Sequence, residues 1–160
     1  MMEVKIVYVK ERVLIGKCMS MSFANNKSRE LWQSFRSDLA KKSISVETPF
    51  VNLHNYPADF SFSAFNPNKE FDKWALVEVP ESTEVPDCFE KFVLEAGYYA
   101  TFEYQGLAQD CQVEVQKLFT EWLPKSGYQL DTRPHFEELG EGYHPLDPNS
   151  KEQIFVPVKK

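Results

Sequence analysis

No run of this sequence is long and apolar enough to cross a bilayer, and Met1-Met2-Glu3-Val4-Lys5 opens on strand-like alternation rather than on the apolar core of a leader. The expectation is therefore a cytoplasmic chain without a membrane helix. Nor is there a CxxC pair: Cys18, Cys88 and Cys111 are odd in number and scattered, which excludes a disulfide framework or a zinc site and reads as small core residues in a reducing compartment. Histidine is as sparse, since His54, His135 and His144 stand too far apart for a metal site and read as surface or loop residues. No metal and no cofactor is expected. Basic residues form no stripe, and with Lys+Arg 18 against Asp+Glu 24 the net charge is -6 and the pI about 5.1. Such a molecule repels phosphate backbones, which excludes autonomous nucleic-acid binding, and the pairs Lys41-Lys42 and Lys159-Lys160 read as solvated surface.

Aromatics, by contrast, are plentiful. Phe 13, Tyr 7 and Trp 3 make 14% of the chain against only Gly 6, and such rings either fill a core or line a pocket for a flat, apolar or cationic guest. A single domain spanning 1–160 is the simplest reading, since a chain of that size buries roughly two thirds of its unfolded surface.

The periodicity changes along the chain. Val4, Ile6 and Tyr8 alternate, and Val13 to Met21 continues the pattern, predicting one long strand or a strand interrupted near Glu11-Arg12. Asn25 to Ser28 supply capping residues for a helix on which Leu31, Trp32, Phe35 and Leu39 share a face. Phe50 to Tyr56 reads as a strand, residues 58–72 as a loop packing its own aromatics, and Trp74 to Pro80 as a clear strand. Past Glu81 to Asp87 the plan restarts: extended segments from Phe89 to Leu94 and Tyr98 to Tyr104, then a helix with Cys111, Val115, Leu118 and Trp122 on one stripe, stopped by Pro124 and Gly127. Gln153 to Val158 is the last strand.

The repeated order implies an α+β fold, a duplicated βαββ module (about 1–82 and 83–160) forming a curved antiparallel sheet with two helices on one side and pseudo-twofold symmetry. Two halves meeting in this way leave a groove where a small guest can sit. Arg133-Pro134-His135-Phe136-Glu137-Glu138-Leu139 places acidic side chains inside what otherwise reads as a late strand. On a strand Phe136 and Glu138 point one way, Glu137 and Leu139 the other; if both faces are partly covered, one of the two carboxylates meets apolar surroundings and needs a proton, a hydrogen bond or a cation, the alternative being a surface glutamate on an edge strand.

In sequence order, Leu31-Trp32-Gln33-Ser34-Phe35, Lys73 to Val79, Ala96 to Phe102, Gly106, Glu121 to Tyr128, Pro134-His135-Phe136-Glu137 and Ile154 to Val158 resemble the GyrI-like small-molecule-binding family, which also supplies effector-binding domains of AraC-type and MerR-type regulators. The resemblance implies a pocket at the junction of the repeats, where an aromatic cage and a strand glutamate receive bulky, apolar, cationic compounds. Carried over by position, that glutamate is Glu137, with Tyr99 and Trp74 the best-matched aromatics and Tyr56, Phe102 and Trp32 further ligand-binding candidates. Leu139 stands where relatives commonly carry a tyrosine, so a polar wall is missing. The domain occupies the whole 160 residues, with no segment for a helix-turn-helix, so regulation implies a separate transcription regulator or plain sequestration. Two alternatives follow from relatives: a hydrolase of reactive electrophiles with Glu137 as base and Tyr99 as proton donor, or a module that contacts DNA gyrase.

Overall fold

The computed structural model describes residues 3–42, 44, 49–62 and 64–160; Met1, Met2 and Ser63, which belong to the predicted opening alternation and the predicted aromatic loop, lie outside the described residues. The first half contains β1 (Lys5–Val9), β2 (Arg12–Met21), α1 (Ser28–Lys42), β3 (Val51–Asn55) and β4 (Phe71–Glu78). The second contains β5 (Glu90–Leu94), β6 (Gly97–Gln105), α2 (Cys111–Lys117), α3 (Leu123–Ser126), β7 (Gln129–Leu130), β8 (His135–Leu139) and β9 (Lys151–Lys159). The strands pair antiparallel in the order β1-β6-β9-β8-β3-β4-β2-β5, with β7 beside β9. That order is a palindrome about the β8–β3 pair. Lys5 and Glu90 open corresponding strands, as do Arg12 and Gly97, at equal separations along the chain. The opening alternation is thus two strands, and β1 leaves its neighbour β2 to pair with β6, as β5 pairs with β2.

Local chemistry accounts for the elements. Asn26 Oδ1 accepts the Ser28 N–H at 2.9 Å ahead of α1, Glu30 lies in its first turn, and Lys41 and Lys42 lie in its last, matching the helix dipole. Leu31, Phe35 and Leu39 are its buried stripe. Of the two predicted stops on the second helical arm, Pro124 is passed and Gly127 ends it. Pro124 has no N–H to offer a preceding carbonyl, and the turn before it, Leu118–Trp122, is π-helical; the helix continues through Pro124 and ends at Gly127, whose φ of 78° suits glycine. Gly16, on β2 between β4 and β5, is required by proximity, since a Cβ there would lie 1.8 Å from the Ala75 carbonyl oxygen.

Two apolar clusters occupy the helix-bearing face. One joins α1 to Ile15, Met21, Phe71, Ala75 and Val77; the other joins the second helical arm to Ala100, Phe102, Tyr104, Ile154, Val156 and Val158. On the opposite face Leu14, Val51, Leu53, Leu76, Leu94, Tyr99, Phe136 and Phe155 form a third. Val7 and Val9 of one edge strand and Leu94 of the other belong to that third cluster, which lines the face of the curved open sheet opposite the helices.

Candidate functional site

Between the two helix-face clusters the apolar surface is interrupted at the pseudo-twofold. Register places Asn52 opposite Glu137 and His54 opposite His135 across β3 and β8, all four on the helix side, while Val51, Leu53 and Phe136 point away. Of the two candidate carboxylates, Glu137 therefore enters the seam and is 7% exposed. Glu138 faces the other way and pairs with Arg12 at 3.3 Å.

Glu137 is held from several sides. His54 Nε2 stands 3.2 and 3.0 Å from its two oxygens, and Asn52 Nδ2 donates to Oε2 at 3.4 Å. The Asn52 carbonyl in turn accepts the Trp32 indole N–H at 3.1 Å, tying α1 to the carboxylate. Burial pushes the Glu137 carboxyl up, but His54, the Lys73 ammonium and Asn52 outweigh it and hold it below the usual carboxylate range. Glu137 is an anion in a dry place.

A second carboxyl lies beside it. Glu152 of β9, 4% exposed, is pushed up to about 8 by burial and then by the Glu137 charge, against the pull of Lys73. One carboxylate oxygen each of Glu137 and Glu152 and the Cys111 Sγ all lie within 4.8 Å of one another. That spacing would admit a metal ion, yet the donors do not suit one: burial raises the Cys111 pKa and so favours the thiol, and the oxygens of Glu137 are engaged by His54 and Asn52. Lys73 donates to Ser28 Oγ at 2.6 Å, and burial lowers its pKa.

Rings close the seam. Tyr56 meets His135 edge-on at 4.9 Å and stacks on His54 at 5.8 Å. Phe62, from the loop between β3 and β4, stacks on Phe119 of the π-helical turn at 4.6 Å and on His135 at 5.3 Å, spanning the two halves. Burial, aided by His54, lowers the His135 pKa to about 3, so its ring is neutral and acts as one more aromatic wall. What remains is a cavity of about 20 Å³ lined by His54, Tyr56, Gln112, Val115, His135 and Glu137 among others, room for roughly one water. Tyr56 also lines an outer groove of about 220 Å³ whose rim carries Glu70 and Asp72.

The structure brings together Glu137, Tyr56 and Trp32 from the predicted set, and Phe102 lies on the same face one strand beyond Ile154. Tyr99 and Trp74 are not with them. Trp74 pairs with Leu53 and Tyr99 with Pro157, which fixes both on the far face; Trp74 packs on Phe92 at 5.0 Å, and the Tyr99 hydroxyl donates to the Pro134 carbonyl at 3.2 Å beneath Arg133. A strand residue one position out of phase changes faces, so the Glu137–Tyr99 catalytic pair does not form. The histidines also need correction: His144 is exposed in a loop, but His54 and His135 are buried strand residues made neighbours by the long-range β3–β8 pairing. Cys111 is buried as predicted, whereas Cys18 and Cys88 are half-buried. His54, Lys73, Glu152, Phe62 and Phe119 escaped the sequence reading. The signal for His54 was present in Val51-Asn52-Leu53-His54, whose polar alternates read as a wet face and in fact line the seam.

Comparison with known proteins agrees with this architecture. The family model described as "GyrI-like small molecule binding domain" matches residues 2–159. The transcriptional regulator BrlR of Pseudomonas aeruginosa is 28% identical over 130 residues, 81% of this chain and 45% of BrlR, so the chain spans less than half of that relative's length. Among solved structures, SAV2435 bound to tetraphenylphosphonium superposes with a TM-score of 0.74 at 16% identity, covering 99% of this chain and 94% of that one. The EcmrR–DNA complex gives 0.75 at 14%, covering 99% and 58%. No described helix is long and apolar enough to cross a membrane.

Proposed function

The chain belongs to the GyrI-like small molecule binding domain family, and on that premise we propose that it binds bulky hydrophobic cations in the seam between its two helical arms, over Glu137. One observation carries this reading: an ionised carboxylate, 7% exposed, shares a small inner cavity with Tyr56 and His135, and Phe62 stacks on His135, with no bulk water to solvate it. An organic cation is the guest such a place favours, through Coulomb attraction and ring quadrupoles worth about 0.5–2 kcal/mol per contact. The groove rimmed by Glu70 and Asp72 offers the approach, and Tyr56, common to groove and inner cavity, is the ring that yields. Room for a large guest comes from displacing Tyr56 and Phe62. Partners follow from the same reading: the bound cation is an effector, and the protein acting on it is a transcription regulator of the kind to which BrlR belongs.

The test is titration with tetraphenylphosphonium, followed by calorimetry and by Trp32 fluorescence. Glu137→Gln is expected to weaken binding about 30- to 100-fold, the loss of a charge-assisted contact worth about 2–3 kcal/mol. Equal affinity in wild type and Glu137→Gln would sink the reading.

A further inference from the structure

The seam holds more acid than one cation needs. Glu152 is as deeply buried as Glu137, and among the described residues its carboxyl has no hydrogen-bond partner, though one of its oxygens lies within 4.8 Å of an oxygen of Glu137. The groups around it come from every side: Glu137 from β8, Lys73 from β4, Cys111 from α2, Tyr104 from β6 and Tyr143 from the loop before β9. Only Lys73 among these is a cation, and Glu137 claims part of its charge. Two carboxylates this close in a dry site do not both ionise.

Resting on the binding reading above, we propose that Glu152 is a second, proton-bearing carboxyl of the cation site, which gives up its proton to solvent when a permanent organic cation enters. The guest then meets two carboxylates instead of one, and binding is an exchange of one cation for one proton. The chemistry selects a class: a compound with a fixed positive charge, such as a phosphonium or quaternary ammonium, drives the exchange, while a neutral compound of the same shape does not. Protonated Glu152 keeps the empty seam near neutrality, which is consistent with rings packing directly over it. Its raised pKa, about 8, agrees with that placement.

Linkage gives the sign. A group that must lose a proton for the guest to bind makes affinity rise with pH until the group is ionised in the free protein, here by about tenfold from pH 7 to pH 9. Calorimetric titration of tetraphenylphosphonium into the full chain at pH 7, in buffers of low and high ionisation enthalpy, should show release of about one proton. Glu152→Gln should abolish that release and flatten the pH dependence. Unchanged proton release in Glu152→Gln overturns the proposal while leaving cation binding intact; binding without any proton release in wild type does the same. No binding to wild type at either pH overturns the binding reading and this inference together. A measurement free of ligand completes the test: infrared difference spectra of the empty protein at neutral pH should contain a protonated-carboxyl band that Glu152→Gln removes, and its absence from wild type is fatal.

Discussion

The two halves of the sheet share a strand plan and differ in what they hang from it at the seam. Asn52 pairs with Glu137 at the axis; Lys73, the partner of Met19, holds the place that Glu152, the partner of Tyr104, holds in the other half. His54, next to Lys73, corresponds to Leu139, next to Glu152. The first half thus brings amide, imidazole and ammonium, and the second brings two carboxyls and a leucine. A duplicated frame supplies the same burial twice, and divergence has made one copy basic and the other acidic. The resulting field is directed across the seam rather than symmetric about it. It is also the reason one acid is ionised and the other is not: Glu137 has two hydrogen-bonding neighbours from the first half, Asn52 and His54, and Glu152 has none.

This asymmetry can be broken most strongly at His54. His54→Ala leaves an ionised Glu137 without its main partner and should cost about 3–5 kcal/mol in denaturant unfolding. Leu139→Ala, at the corresponding position, loses only packing, about 2–5 kcal/mol. Glu137→Gln as a background distinguishes them: it should shrink the first loss and leave the second unchanged. Equal losses for His54→Ala in both backgrounds would contradict the account of His54 as the partner of Glu137.

Next in size is the acid half alone. The folded-state pKa of Glu152 is raised, so the stability it permits is fully present below its unfolded value near 4.5 and is lost as pH climbs to about 8. Glu152→Gln should accordingly be more stable than wild type by up to about 5 kcal/mol at pH 9, with the gain fading towards pH 4.5. A gain that is constant with pH would mean that the residue is not titrating in this way.

His135 titrates in the opposite sense. Its folded pKa is depressed to about 3, so the stability it contributes is present above its unfolded value near 6.5 and lost as pH falls towards 3. Replacing it in His135→Phe should retain the wall of rings and remove that acid sensitivity, up to about 5 kcal/mol between pH 6.5 and pH 3, read from melting temperature against pH. The smallest effects belong to the far face. Tyr99→Phe gives up the hydrogen bond to Pro134, about 0.5–1.5 kcal/mol of stability, and should bind tetraphenylphosphonium within about twofold of wild type. Trp74→Phe should bind equally unchanged, and a tenfold loss in either would return those rings to the site.

Much of the frame was legible in the sequence because it rests on local periodicity. Leu31, Phe35 and Leu39 on α1, the alternation of Trp74 to Glu78 and the restart after Asp87 all correspond to observed elements. The carboxylate was legible too, since parity on β8 limits the choice to Glu137 or Glu138. What surrounds it was not. His54 and Glu137 are adjacent only through the pairing of β3 with β8, and Glu152 arrives from β9, so neither neighbour leaves a trace near residue 137. Tyr99 and Trp74 were chosen by likeness to a motif, which carries no information on face; the register with Pro157 and Leu53 decides that, and it decides against them. The π-helical turn before Pro124 was hidden because proline signals a break in a helix whether the chain stops or only loosens there.

The exchange of first strands ties the halves together as two clasped hands are tied. Lys5–Val9 lies along β6 and Glu90–Leu94 along β2, so each half completes its rim with a ribbon lent by the other. A chain nicked in the connection 81–87 would consequently yield two fragments that each lack an outer strand, and they should refold only when mixed. The same clasp prevents the halves from swinging apart on a hinge, so a guest gains admission by local yielding of loop and helical arm while the strands stay locked.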